Sequence, residues 1–142
     1  MLSILCHWHN RFQVSSFRLQ VKKIVMAKIN RFEDLEVWKI ASDISIEIFK
    51  FTRKDILQRE YGIKDQIIRA SISISNNIAE GFEYDNRKDF IKFLRYSKGS
   101  CGEVRNMLNF LLKVELIEND LCKQFNRTVD NILNNFILLS II

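Results

Sequence analysis

Phe90, Leu94, Ser97, Cys101, Val104, Leu108 and Leu111 recur at alternating steps of four and three without interruption. That spacing puts them on one side of a helix and is the heptad by which two helices wind around each other left-handedly. A chain that commits these residues to one long helix must supply further helices to cover the stripe. Nothing in the composition resists this. The 142 residues include no proline and only 4 glycines, so helices can run long and few points can end them. At 47% hydrophobic and 27% charged, the chain is too apolar for disorder and too poor in turn formers for a many-stranded β protein. Its length suits one domain with a core of its own.

Three more helices are expected around the heptad helix, which itself spans residues 87–114. The first covers residues 34–51, with Leu35, Trp38, Ala41, Ile44, Ile48 and Phe51 on its core face and acids at its amino end. Val37, Ile40, Ile46 and Phe49 widen its apolar arc beyond one stripe. The second covers residues 63–80, ended by Gly81, with Ile63, Ile67, Ala70, Ile74 and Ile78 facing inward. The fourth covers residues 119–139, with Asn119 as its cap and Leu121, Phe125, Ile132, Phe136 and Leu139 inward. Ser97, Gly99, Ser100 and Gly102 form a small-residue stretch matched by Ala70, Ser71, Ser73 and Ser75, so the second and third helices should touch there. Short connections then give an all-α, antiparallel, up-down-up-down four-helix bundle. The broad first helix and the apolar end of the fourth leave surface to be buried between copies of the chain.

The net charge of +5 is unevenly placed. Residues 1–25 hold Arg11, Arg18, Lys22 and Lys23 with no acid and account for four of those charges. They show no sustained apolar period and read as a disordered or mis-started basic extension, with Met26 the working start and residues 26–142 the bundle domain. Alternatives are an arm that orders on nucleic acid or membrane, or a metal role for His7 and His9, which two side chains at this spacing rarely achieve without further ligands. No apolar run approaches the ~20 residues of a membrane span, and no signal-peptide pattern opens the chain. Cys6, Cys101 and Cys122 form no C-x-x-C pair and suit thiols in a reducing, cytoplasmic setting.

Catalytic constellations do not emerge. No histidine follows His9, which removes di-iron Glu-x-x-His pairs and the Ser-His-Asp and Cys-His arrangements from the bundle. Neither phosphate-cradling glycine motif occurs. No enzyme activity, metal or cofactor is expected. Gln66, Arg69, Ser73, Asn77 and Glu80 form a polar stripe on the second helix. Glu80 and Glu103, neutralised by Arg69 or Arg105, would complete a buried network that fixes helix register, with paired-carboxylate chemistry the sharper but poorer alternative.

Distinctive residues carry a resemblance. Phe32-x-Asp34-Leu35-x-Val37-Trp38, Tyr61-Gly62, Gln66-x-x-Arg69-Ala70, Ser73-Ile74-Ser75-Asn76-Asn77-Ile78-Ala79-Glu80-Gly81, Phe93-Leu94 and Gly99-Ser100-x-x-Glu103 closely resemble the four-helix-bundle family of 23S ribosomal RNA intervening-sequence proteins. The similarity covers residues 31–120. It implies an up-and-down bundle assembled as a ring-like homopentamer. The chain is also similar to the accessory variability determinant of diversity-generating retroelements, which implies nucleic-acid binding and a reverse transcriptase as partner. Ser75 stands where the family usually has proline, and Asn76 where serine is usual. Residues 26–142 are nearly neutral, whereas that nucleic-acid-binding relative is expected to be strongly basic.

One charge feature favours nucleic acid. Arg87, Lys88, Lys92, Arg95, Lys98 and Arg105 lie along the third helix against Asp89 and Glu103, with Lys88, Lys92 and Arg95 at helical spacing. Repeated around a ring, such a stripe would engage many phosphates at once. The plainer reading is a solvated face, and no interleaved aromatics are evident for base stacking. Two functions stay open: a non-catalytic accessory protein that binds RNA or DNA, and an oligomeric scaffold for a protein partner.

Overall fold

A computed structural model describes residues 29–141. The expectations for residues 1–25, the start at Met26 and the His7–His9 pair lie outside them. The described residues form four helices and no strand: α1 (Glu36–Thr52), α2 (Tyr61–Glu83), α3 (Arg87–Lys113) and α4 (Asn119–Ile141). Short 3-10 turns at Phe32–Asp34 and Asp55–Leu57 precede α1 and α2.

Each helix packs on the next and α4 returns to α1, with the broadest contact between α2 and α3. Cross-helix pairs give the directions. Ser73 meets Ser100 while Gly81 meets Phe93, so α2 and α3 are antiparallel. Arg105 reaches Asp130 while the Leu108 carbonyl meets Cys122, so α3 and α4 are antiparallel too. The core runs along the centre, where Ala41, Ile48, Ile67, Ile74, Ile78, Cys101, Val104, Leu108, Leu111, Val129 and Ile132 are wholly buried. Each large aliphatic side chain so placed contributes roughly 1.5–3 kcal/mol.

The heptad residues of α3 behave as their spacing requires, and the small-residue seam forms. Ser97 Oγ donates to the Ile74 carbonyl at 2.7 Å, and Ser100 Oγ lies 3.0 Å from Ser73 Oγ. Across α1 and α2, Ser45 Oγ donates to the Ser71 carbonyl at 2.8 Å. Short side chains admit the neighbouring backbone, and these bonds offset the cost of burying their hydroxyls. The seam uses serines rather than all its small residues, because Gly99 and Gly102 face open space with nothing within 4 Å of an added Cβ.

Several boundaries differ from the sequence expectation. Gly81 does not end α2, which continues to Glu83. It sits inside the helix because a Cβ there would come within 2.6 Å of Phe93 Cβ. Extended backbone at Leu35 separates the first turn from α1, which begins at Glu36. Asn119 is the first helical residue rather than the cap, and the Glu118 carbonyl takes the Cys122 N–H at 2.9 Å. Val37 belongs to the core, while Trp38 is half-buried with its ring edge-on to Phe32. On α4, Cys122 and Val129 join the core that Leu121 and Leu139 only border.

Capping explains both ends of α3. Asn86 Oδ1 accepts the Asp89 N–H at 2.9 Å, and Asn86 Nδ2 donates to Asp89 Oδ2 at 2.8 Å, a reciprocal lock on the first turn. At the other end the Leu116 N–H reaches the Leu111 carbonyl at 2.8 Å and the Glu115 N–H the Leu112 carbonyl at 3.2 Å. That Schellman pair needs a left-handed residue, which Glu115 supplies at φ 60°.

Apolar surface remains uncovered on the single chain. Ile46, Phe49 and Ile72 are each more than two-fifths exposed, and Ile137 and Leu138 are 60% exposed. Because Ser45 bonds to Ser71, the residues that follow them, Ile46 and Ile72, lie on neighbouring parts of α1 and α2.

Candidate nucleic-acid interface

The six cations of α3 all reach solvent. At 3.6 residues per turn, Arg87, Lys88, Lys92, Arg95, Lys98 and Arg105 fall within an arc of about 140° on the side away from the core. Arg105 is the one whose charge meets an acid among the described residues, Asp130 of α4 at 3.8 Å. Asp89 is held by the Asn86 cap, so its carboxylate stays at the helix start. Lys113 in the last turn is a seventh exposed cation that the sequence reading passed over. Gly99 and Gly102 lie among these residues and leave the helix backbone bare between the long basic side chains.

The expected polar network is only partly assembled. Asn77 Nδ2 donates to the Ser73 carbonyl at 2.7 Å and to Ser73 Oγ at 3.0 Å, and Ser73 reaches Ser100 across the seam. Gln66, Arg69, Glu80 and Glu103 stand outside it, all four exposed. Arg69 pairs with Asp65 one turn back at 2.6 Å, and Arg105 with Asp130, so neither neutralises Glu80 or Glu103. The buried ion-pair reading is therefore corrected. Those carboxylates project from the outer sides of their helices, where water already solvates them.

Aromatic rings accompany the cations after all. Tyr84, just past α2, stacks on Phe93 with centroids 5.2 Å apart and planes 17° apart. Phe93 in turn meets Tyr96 edge-on at 5.6 Å and 89°. Lys92 Nζ lies 6.0 Å from the Phe93 ring centroid and 5.8 Å from that of Tyr96. Sequence reading missed the cluster because Tyr84 comes from the turn that follows another helix. Phe93 and Tyr96 at i, i+3, with Lys92 one turn before Tyr96, were the available signal.

Neither thiol in the bundle is poised to react. Burial pushes the Cys101 thiol up to about 12 and raises that of Cys122 as well. A cleft of about 350 Å³ beside Gly81 has a mainly apolar lining that includes Leu35, Phe82, Phe90, Ile91 and Leu139, with Asp85 and Arg87 its charged members. Among the described residues no group of three or more His, Cys, Asp or Glu side chains is placed to hold a metal ion, and no helix is long and apolar enough to cross a membrane.

Taken together, these features define an all-α up-and-down bundle whose third helix presents a basic outer face. The chain belongs to the family of 23S rRNA-intervening sequence proteins, whose model matches residues 33–137 and so takes in α4 as well. A solved structure from Bacteroides thetaiotaomicron, described as a protein of unknown function from the S23 ribosomal protein family, shares the fold with a TM-score of 0.67 and 25% identity. The alignment covers 73% of this chain and 97% of that one. No curated protein matches the chain.

Proposed function

We propose that this protein is a non-catalytic, homo-oligomeric accessory factor that binds RNA or DNA through the outer face of α3. The observation that carries the reading is the arc of six exposed cations, of which Arg105 alone meets a carboxylate among the described residues. Unpaired surface cations are free to replace the counterions of a phosphate backbone, and affinity grows with the number engaged together. Bare backbone at Gly99 and Gly102 lets that strand come close to the helix. Membership of a family named for an insertion in ribosomal RNA points the same way.

Assembly multiplies the stripe. The exposed Ile46, Phe49 and Ile72 on one side and Ile137 and Leu138 on another suit the unlike faces of a head-to-tail ring, which the resemblance gives as five copies. Native mass spectrometry on the full chain reads this directly. A pentamer supports the ring, and a stable monomer at micromolar concentration refutes it.

Reversing Lys88, Lys92 and Arg95 to Glu tests the binding face. The triple variant keeps its helicity and loses nucleic-acid affinity. The competing reading is a scaffold for a protein partner, a reverse transcriptase being the one that the resemblance implies. It gains ground only if the wild-type chain binds no nucleic acid even at low salt.

A further inference from the structure

We infer that the nucleic acid bound by this face is single-stranded, with bases stacking on Tyr84 and Tyr96 while phosphates engage Lys88, Lys92 and Arg95. The inference rests on the nucleic-acid reading of α3 and names the kind of strand it takes.

Three aromatic rings at the α2–α3 corner make a supported platform. Phe93 is its anchor, half-buried, with its Cβ against Gly81. Tyr84 lies flat on one side of Phe93 and Tyr96 meets it edge-on. The two tyrosines nevertheless remain 54% and 50% exposed. Each ring is thus fixed by a neighbour and still open to a further flat group. A ring already packed against a neighbour has fewer orientations to lose, so stacking a base on it costs less further ordering.

A duplex cannot use such a platform, because its base faces are already stacked on one another. Unpaired bases can, and they do so irrespective of sequence. The charges fit the same strand. Lys92 rests over the Phe93 and Tyr96 rings, and Lys88 and Arg95 lie one turn either side of it. An exposed cation–π contact is weaker than base–aromatic stacking, so a base displaces the ammonium, which then turns to phosphate. Glu83 and Asp85 flank Tyr84 on the α2 side. They repel phosphate there, so the backbone tracks along α3.

Fluorescence anisotropy with the full chain separates the possibilities. The probes are labelled oligo(U) and oligo(dT) of 20 nucleotides, and the matched RNA or DNA duplex, all at one low salt concentration. The affinity of whichever oligonucleotide binds tighter is set against the duplex of the same sugar. The wild-type chain prefers single strand by tenfold or more. Tyr84→Ala with Tyr96→Ala brings the ratio close to one, whereas Tyr84→Phe with Tyr96→Phe keeps it, since the ring rather than the hydroxyl stacks. Equal affinity for duplex and single strand, or a preference that survives the double alanine change, overturns the inference while leaving the basic face standing. If the wild-type chain binds neither form, the nucleic-acid reading itself falls and takes this inference with it.

Discussion

Gly81 and Phe93 bring α2 and α3 so close that a Cβ on position 81 would lie 2.6 Å from the Phe93 Cβ. The obstructing atom is fixed to the α3 backbone and cannot rotate away. Alanine at an interior helix position is worth roughly 1 kcal/mol more than glycine, whereas forcing a methyl into a packed contact costs about 1–3 kcal/mol. Gly81→Ala is therefore expected to lower the unfolding free energy by up to about 2 kcal/mol in urea titrations. Gly99→Ala, with nothing within 4 Å, is the control and should stabilise by up to about 1 kcal/mol. Equal effects at the two positions would contradict the close helix contact.

Glu115 carries the left-handed turn that closes α3, at φ 60°. A β-carbon in that region costs energy that glycine avoids. Glu115→Gly should therefore raise the melting temperature by a few degrees, corresponding to up to about 1 kcal/mol. A fall would mean that the Glu115 side chain contributes something the geometry does not reveal.

Cys101 is wholly buried and Cys122 nearly so. In a Cys6→Ser background, both should resist a thiol reagent at pH 8 in the folded protein and react once it is unfolded. The Cys101 thiol is held up at about 12, against an ordinary value of 9.0. The folded state therefore keeps a proton that the unfolded chain gives up first. Its contribution to stability is complete below about pH 9 and is lost as pH rises towards 12. Denaturation midpoints should fall between pH 8 and pH 10.5, and by less in Cys101→Ala.

Much of the bundle was legible because its signals are periodic. The unbroken four-three spacing from Phe90 to Leu111 fixed which side of α3 is core, and the serines facing it marked the α2–α3 seam. What could not be read depends on rotation about a helix or on contact between helices. Gly81 reads as a stop in one dimension, yet in three it is the place where Phe93 must fit. Glu80 and Glu103 looked like partners because both neighbour the seam, but about a quarter turn of each helix carries them out to solvent. The ring cluster joins Tyr84 to Phe93 and Tyr96 across a turn in which Asp85 takes φ 51°, a bend that no hydrophobic period encodes. The cations of α3, by contrast, were found as they stand, since the heptad that buries one side exposes the other.

The salt dependence of nucleic-acid affinity is the most direct test of the basic face. With three or more phosphates engaged in the complex, log affinity for single strand should fall against log salt with a slope of about −2 or steeper. Lys88→Glu with Lys92→Glu and Arg95→Glu should flatten that slope as well as weaken binding. A wild-type slope near zero, or a slope unchanged by the three reversals, would contradict the account.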